Sequence, residues 1–412
     1  MMSNWITYKL SEVCVKIGSG ATPKGGKSAY ISEGITLIRS QNVLDFTFTE
    51  DGLAFINEAQ AKALANVEVQ ERDVLINITG DSVSRVCQVP NAYLPARVNQ
   101  HVAILRTNTS KLSPEFLKYS LLTKFNKDRL LSLASTGATR NALTKGMLEE
   151  FEILAHVEVS VQNRIAEILT ALDDKIELNC RMNETLEQMA QTLFRKCFVD
   201  GIDEENQEAI SLLDFANLIG GGTPKTSVSE YWDGDILWVS AKDVTPNDGT
   251  FIIATEKKIT DIGLFKSSAK FIPQFSTIIT ARGTVGKLCI ASVEMTISQS
   301  NYALKAKYKN ADFVLFQIIQ HQIEELQRNS YGTVFDTITT NTLRDIKITV
   351  PAQDKVIALE EKLKPLYLKI HANLKENITL SNTRDALLPK LISGEIDVMQ
   401  IKPEELHEPV LS

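Results

Sequence analysis

Gly20-Ala-Thr-Pro-Lys24 returns about two hundred residues later as Gly222-Thr-Pro-Lys225. Each copy stands the same distance ahead of an apolar stretch: Ile35-Thr-Leu-Ile38 leading to Asn42-Val43, and Ile236-Leu-Trp-Val239 leading to Asp243-Val244. Further on, Leu75-Ile-Asn-Ile-Thr-Gly80 is matched by Ile278-Ile-Thr-Ala-Arg-Gly283, and Val98-Asn-Gln100 by Ile297-Ser-Gln299. Solenoid units run about 20–50 residues, so a period this long signals a duplicated domain followed by a helix. Duplication implies a pseudo-twofold molecule that performs one task at two places.

Working outward, residues 1–157 mix short β-rich runs with turns and one helical stretch, Ser113–Leu133. From 158 to 200 the pattern is sustained helix, with no Pro or Gly between Ser160 and Asp200. An acidic linker, 201–209, leads to a second β-rich body, 210–350, with its own helical stretch Asp312–Arg328. A second long helix follows over 351–396, with Gly394 as its stop and 397–412 as a tail.

Both long segments carry a coiled-coil seam. The first runs through Ile165, Ile168, Leu172, Ile176, Asn179, Asn183, Leu186, Ala190 and Leu193. The second uses Val356, Leu359, Leu363, Leu366, Ile370, Asn373, Asn377, Leu380, Arg384, Leu387 and Leu391. The spacing Ile176-x-x-Asn179-x-x-x-Asn183-x-x-Leu186 is repeated by Ile370, Asn373, Asn377 and Leu380, which predicts asparagines that fix register at some cost in stability. Pro365 is expected to kink the second helix or split off its first turns. A helix of ~39 residues is ~58 Å long. A ten-residue linker reaches at most ~35 Å. The expected architecture is therefore α+β: two β-rich globular bodies joined by two long antiparallel coiled-coil helices, with a pseudo-twofold from the duplication.

Composition excludes more than it selects. The 412 residues are 43% hydrophobic and 23% charged, an ordinary globular balance with room for two cores. No run of about 18 apolar residues suggests a membrane span, and the opening Met-Met-Ser-Asn-Trp-Ile-Thr-Tyr-Lys lacks a secretory pattern. Five scattered cysteines without a Cys-x-x-Cys pair point to reduced thiols and a cytoplasmic setting, with Cys87 and Cys289 as small core residues of equivalent strands. The net charge of −7 is concentrated in helices and linker, since residues 1–157 hold 17 basic against 15 acidic side chains. A chain that gripped DNA unaided through phosphate attraction would be more basic. Any DNA binding needs partners to supply part of the grip.

Motifs for catalysis are wanting. Ala21-Thr-Pro-Lys-Gly-Gly-Lys27-Ser28 satisfies a loose phosphate-loop pattern, but a phosphate loop joins a buried strand to a helix N-terminus. The repeat at Gly222 keeps Thr-Pro-Lys and drops Gly-Lys-Ser, so the turn is what recurs. No methyltransferase loop, nuclease cluster or metal spacing among His101, His156, His321, His371 and His407 is evident. The reading is a non-enzyme, with no catalytic or metal-binding residues and no cofactor of its own.

The duplicated loops instead carry side chains suited to base edges, where Arg and Lys can pair with guanine and Asn and Gln with adenine. In the first copy these are Thr22, Lys24, Arg39, Gln41, Asn42, Thr79, Arg85, Asn99, Gln100 and Arg140. In the second they are Thr223, Lys225, Ser240, Lys242, Arg282, Thr284, Ser298, Gln299 and Thr333. The scaffold positions repeat while these side chains differ, as expected of two bodies that read two different half-sites.

The whole chain resembles the specificity subunit of type I restriction–modification systems. The resemblance rests on Tyr231-Trp232-x-Gly-x-Ile-x-Trp238 after the Thr-Pro-Lys turn, Ala281-Arg-Gly-Thr-Val-Gly286, Gln162-x-Arg-Ile-Ala-Glu-Ile-Leu-x-Ala-Leu-Asp-Asp-Lys-Ile-Glu-Leu-Asn179, and Leu387-Leu-Pro-Lys-Leu-Ile-Ser-Gly-Glu-Ile396. The first body departs from it, with Asp81-Ser-Val-Ser in place of Thr284-Val-Gly. The resemblance implies two target-recognition domains reading halves of an interrupted duplex DNA site, with the helices as spacer. It implies as partners two methyltransferase subunits, which bring S-adenosylmethionine, and two restriction–translocase subunits, which bring ATP and Mg. Two other readings stand beside it: a self-sufficient DNA-modification enzyme with a cryptic site, and a coiled-coil adaptor without sequence preference.

Overall fold

The structure, a computed structural model, describes residues 4–135, 141–200, 209–245, 250–329 and 337–400, apart from the side chains of Lys27 and residues 324–329. Arg140, Thr333, most of the acidic linker and most of the tail lie outside the described residues. The chain divides into two compact units, residues 1–175 with 380–412 and residues 176–379, a division that crosses both long helices.

Unit 1 holds two four-stranded sheets. One runs Cys14–Ser19, Val102–Thr107, Val74–Asn77, Val86–Gln88, and the other Ala54–Ile56, Ile35–Ile38, Ala96–Val98, Glu68–Val69. A two-stranded ribbon, Trp5–Lys9 with Glu152–His156, closes the unit. Unit 2 repeats the plan. Its Ala216–Gly220, Asn301–Ala306, Thr277–Thr280 and Leu288–Ala291 strands gain a fifth, Phe251–Ile252. Its second sheet runs Lys257–Ile259, Trp232–Val239, Met295–Ile297, Phe271–Ile272, and its ribbon joins Ala209–Ser211 to Lys347–Thr349. Even the parallel pairs correspond: Ile38 lies opposite Val98 and Val239 opposite Ile297. The expected internal duplication is therefore a duplication of topology.

Strand composition explains the cores. Val74, Leu75 and Ile76 are buried, as a central strand covered on both faces requires, and so are Thr277, Ile278, Ile279 and Thr280. Cys87 and Cys289 are both buried in these sheets, and burial pushes the Cys87 thiol up to about 12. They pack as small apolar residues. All five cysteines are unbridged.

The predicted helical stretch Ser113–Leu133 is two helices, Pro114–Leu122 and Lys124–Ser135, separated at Thr123, whose extended backbone (φ −58°, ψ 141°) ends the first. The long helices span Val159–Phe198 and Gln353–Ile392, so that of the kink or split expected at Pro365 the split does not occur. A proline inside a helix removes one hydrogen bond and costs about 3 kcal/mol. Leu363 and Tyr367, on either side of it, are fully buried in the unit 2 core, and that packing holds the helix through the proline. Gly394 stops the helix as expected: its φ is +74°, and a Cβ there would lie 2.5 Å from the Trp5 ring.

Within unit 2 the two helices run antiparallel, with asparagine facing asparagine. Asn179 donates to Asn377 Oδ1 at 2.8 Å and Asn373 to Asn183 Oδ1 at 2.8 Å. The repeat maps Asn179 onto Asn373 and Asn183 onto Asn377, so the two pairs are equivalents of each other. A one-turn slip would leave buried amides unpaired at about 1–3 kcal/mol each. Register is thus set by four residues that the sequence repeats.

Candidate nucleic-acid interface

In each unit the Thr-Pro-Lys turn crosses the ends of the parallel strand pair. Ala21 N donates to Val98 O at 3.1 Å and Asn99 N to Ile38 O at 3.0 Å. In unit 2, Gly222 N donates to Ile297 O and Ser298 N to Val239 O, both at 2.9 Å. The approach is so close that a Cβ on Gly20 would lie 1.9 Å from Val98 O, and one on Gly221 2.1 Å from Ser298 O. Only glycine fits there, which is why the residue before each turn recurs. The result is a corner where three polar loops converge: the turn, the segment after the first strand of the pair, and the segment after the second.

In unit 1 the corner is bonded to itself. Asn42 is buried, accepts from Arg39 N, and donates to the Thr49 and Asp51 carbonyls at 3.0 and 3.2 Å. Asn99 is buried as well, and its Oδ1 accepts from His101 N at 3.0 Å. Both side chains thus hold their own loops, Asn42 through its oxygen and its amino group and Asn99 through its oxygen. Arg39 donates to Gly52 O and lies 5.6 Å from the Tyr30 ring, and Gln41 donates to Asp51 O at 3.1 Å. Thr22 bonds to Gln100, and Thr79 to His101 Nδ1 at 2.6 Å. Thr22, Lys24, Gln41 and Gln100 remain exposed, and Arg39, Thr79 and Arg85 are half-buried.

In unit 2 the corner is open. A cavity of about 300 Å³ is lined by Thr223, Trp238, Ser240, Lys242 and Ser298, with Glu256, Lys257 and Ser300 completing its rim. Trp238 Nε1 donates to Gly222 O at 2.9 Å, which pins the indole as a wall. Asp243 binds the loop together by accepting from Ser240 N at 2.8 Å, Ser240 Oγ at 2.6 Å and Glu256 N at 2.7 Å. Ser240 is thereby occupied within the loop. Ser298 is 4% exposed, and its Oγ has no hydrogen-bond partner among the described residues. Lys225, Lys242, Arg282, Thr284 and Gln299 are exposed, Arg282 and Thr284 on the turn after the Thr277–Thr280 strand.

The sequence reading missed Lys257 and the wall role of Trp238. Lys257 is fifteen residues from Lys242, and only the antiparallel pairing of Trp238 with Lys257 brings it to the corner. Among the described residues no group of His, Cys, Asp and Glu could hold a metal ion, and no helix is long and apolar enough to cross a membrane.

Comparisons with known proteins agree with the duplication. A family model described as the type I restriction modification DNA specificity domain matches residues 2–188 and again 204–380. The HindI type I restriction enzyme specificity subunit of Haemophilus influenzae is 24% identical, over 96% of this chain and 100% of its own length. The EcoR124I/EcoR124II specificity subunit of Escherichia coli is 27% identical over 54% of this chain and 56% of its own. The crystal structure of the type I restriction–modification S subunit from M. genitalium shares the fold, with a TM-score of 0.62 at 16% identity over 94% of this chain and 96% of that one. With both copies of its repeat matched, the chain belongs to the type I restriction–modification DNA specificity family.

Proposed function

We propose that this chain is the DNA-reading subunit of a type I restriction–modification complex, and that each unit reads one half of an interrupted duplex site. The observation that carries this is the corner itself: one topology, built twice, presents different side chains at equivalent positions. Arg39, Gln41 and Asn99 in unit 1 stand where Ser240, Lys242 and Ser298 stand in unit 2. The same scaffold with different polar side chains on its loops suits an asymmetric bipartite target.

The chain acts in this reading without chemistry of its own. Methyl transfer from S-adenosylmethionine and ATP- and Mg-dependent translocation and cleavage belong to partner subunits, two of each kind. Support for a docking partner comes from the long helices, where Leu178, Met189, Leu368 and Ile378 in unit 2 are exposed apolar residues. Partners also answer the net charge of −7, by supplying phosphate contacts this chain lacks.

The test is a chimera in which residues 1–157 are replaced by the equivalent body of a relative, expressed with the cognate methyltransferase. Methylome mapping is expected to show one half-site changed and the other kept. A change in both halves, or in neither, refutes independent reading. Methyl transfer to DNA by the purified chain alone would favour the self-sufficient enzyme.

A further inference from the structure

The cavity in unit 2 is the wrong shape for a base edge and the right shape for backbone. Base edges lie on the floor of a major groove about 8.5 Å deep, so a side chain that reads them must project from the protein. Trp238 and Ser298 do the opposite: they are 7% and 4% exposed, at the bottom of a recess. The sugar–phosphate backbone is the outer ridge of the duplex, and a ridge needs a concave seat. The chemistry of the walls agrees with the shape. Lys242 and Lys257 line the recess with Glu256, Lys257 Nζ lies 5.5 Å from the Trp232 ring, and the nearby Asp243 carboxylate is already engaged by Ser240 N, Ser240 Oγ and Glu256 N. Thr223, Ser298 and Ser300 bring hydroxyls, and the Ser298 hydroxyl is left without a partner although it is buried. Leaving a buried hydroxyl unsatisfied is unfavourable, and an acceptor oxygen arriving in the recess would remove that penalty. The indole supplies an apolar wall of a size to meet a deoxyribose.

We infer that this recess is a clamp for one sugar–phosphate unit of the DNA backbone, with the phosphate held by Lys242, Lys257 and Ser298 and the deoxyribose against Trp238. The inference rests on the DNA-reading function proposed above and divides its labour. Lys242 and Ser298 position the duplex, and reading of sequence in unit 2 falls to projecting side chains such as Lys225, Arg282 and Gln299, all exposed. The clamp belongs to unit 2 alone: the positions equivalent to Lys242 and Lys257 are Gln41 and Ala54, and Asn99 replaces Ser298.

The experiment uses the full chain assembled with its methyltransferase subunits and measures duplex affinity across a salt series. Each phosphate contact contributes about 0.9 to the slope of log affinity against log salt. The double substitution Lys242→Gln, Lys257→Gln affects two exposed side chains and should leave folding intact. It is expected to weaken binding about tenfold or more, equally on target and unrelated duplex, and to lower the slope by about one. Ser298→Val should weaken binding by a smaller factor, and arginine at both lysine positions should restore the slope. The methylated motif should stay the same in every variant. A motif altered at one base with the slope intact overturns the inference and makes these residues readers; an unchanged slope and affinity overturns it outright. The two proposals fail separately. A wild-type complex with no discrete methylated motif refutes DNA reading, while the salt slope on unrelated duplex still reports the clamp.

Discussion

Lys118 in unit 1 and Gln317 in unit 2 stand thirteen residues after equivalent strand residues, Leu105 and Leu304, and each reaches a residue six positions ahead of a seam asparagine. In unit 1 that residue is Asp173, whose carboxylate lies 3.6 Å from Lys118 Nζ and accepts from Tyr119 Oη at 2.6 Å and Arg384 Nη1 at 2.9 Å. Arg384 also covers the Phe46 ring at 3.4 Å. In unit 2 the residue is Tyr367, which accepts from Gln317 Nε2 and stacks on Phe313 at 4.8 Å. One seat between a short helix and a long one is thus filled with ions in one copy and with rings in the other. The duplication preserves the place and leaves the chemistry free, provided every polar atom finds a partner. The two solutions differ in how they fail, because a buried ion pair contributes little net stability but costs much when broken.

Asp173→Ala breaks the costlier solution. It strands the Lys118 ammonium, whose pKa burial already lowers against the pull of Asp173, and it takes one partner from Arg384. The expected loss is about 3–5 kcal/mol, read as a lower denaturation midpoint and faster hydrogen exchange over Pro114–Leu122. Tyr367→Phe removes only a hydroxyl and keeps the stack. It leaves the Gln317 amide unpaired in the core, and the expected loss is about 1–3 kcal/mol, confined to unit 2. Equal losses at the two sites would mean that the ionic and the aromatic filling fail alike.

The smallest effect concerns pH. His371 packs 5.0 Å from the Phe251 ring in unit 2, and its Nε2 has no partner among the described residues. Burial, helped by Lys375, lowers its pKa from 6.5. The unfolded chain therefore binds a proton that the folded one refuses. The stability this contributes is complete above about pH 6.5 and is lost as pH falls through the lower folded value. Glu187 and Glu360, whose carboxyls burial raises above 4.5, respond to acid with the opposite sign. The readout is accordingly the difference between wild type and His371→Phe: the variant should lose less stability between pH 7 and about pH 5. A constant difference over that range would show that His371 does not titrate on unfolding.

Repetition made the duplicated topology readable, and heptad spacing made the asparagine pairs readable, because both are linear patterns. What required three dimensions was partnership. Asn42 and Asn99 have the side chains of base readers, and only the carbonyls of loop 49–51 and the amide of His101 show them facing inward. Lys257 needed a strand pairing to join Lys242. Leu169 and Phe194 are more buried than the neighbouring seam positions Ile168 and Leu193, because this helix packs Leu169 into the unit 1 core and Phe194 into the unit 2 core. The unbroken passage through Pro365 has the same cause. Local propensity marked a kink or a split, and burial around the proline keeps the helix from splitting.

The core of unit 1 includes Leu388, Leu391, Ile392 and Val398 together with Leu10, Val74 and Phe116. On a ribosome adding about 5–20 residues each second, the roughly 200 residues between Lys175 and these leucines take about 10–40 s. The unit that emerges first is therefore finished last. Throughout that interval the nascent chain holds an apolar face whose cover has not yet been made, while unit 2 has all its residues as soon as Thr379 leaves the tunnel. A chaperone or a waiting partner has most to do in that interval, and a cell short of either would lose this protein at unit 1.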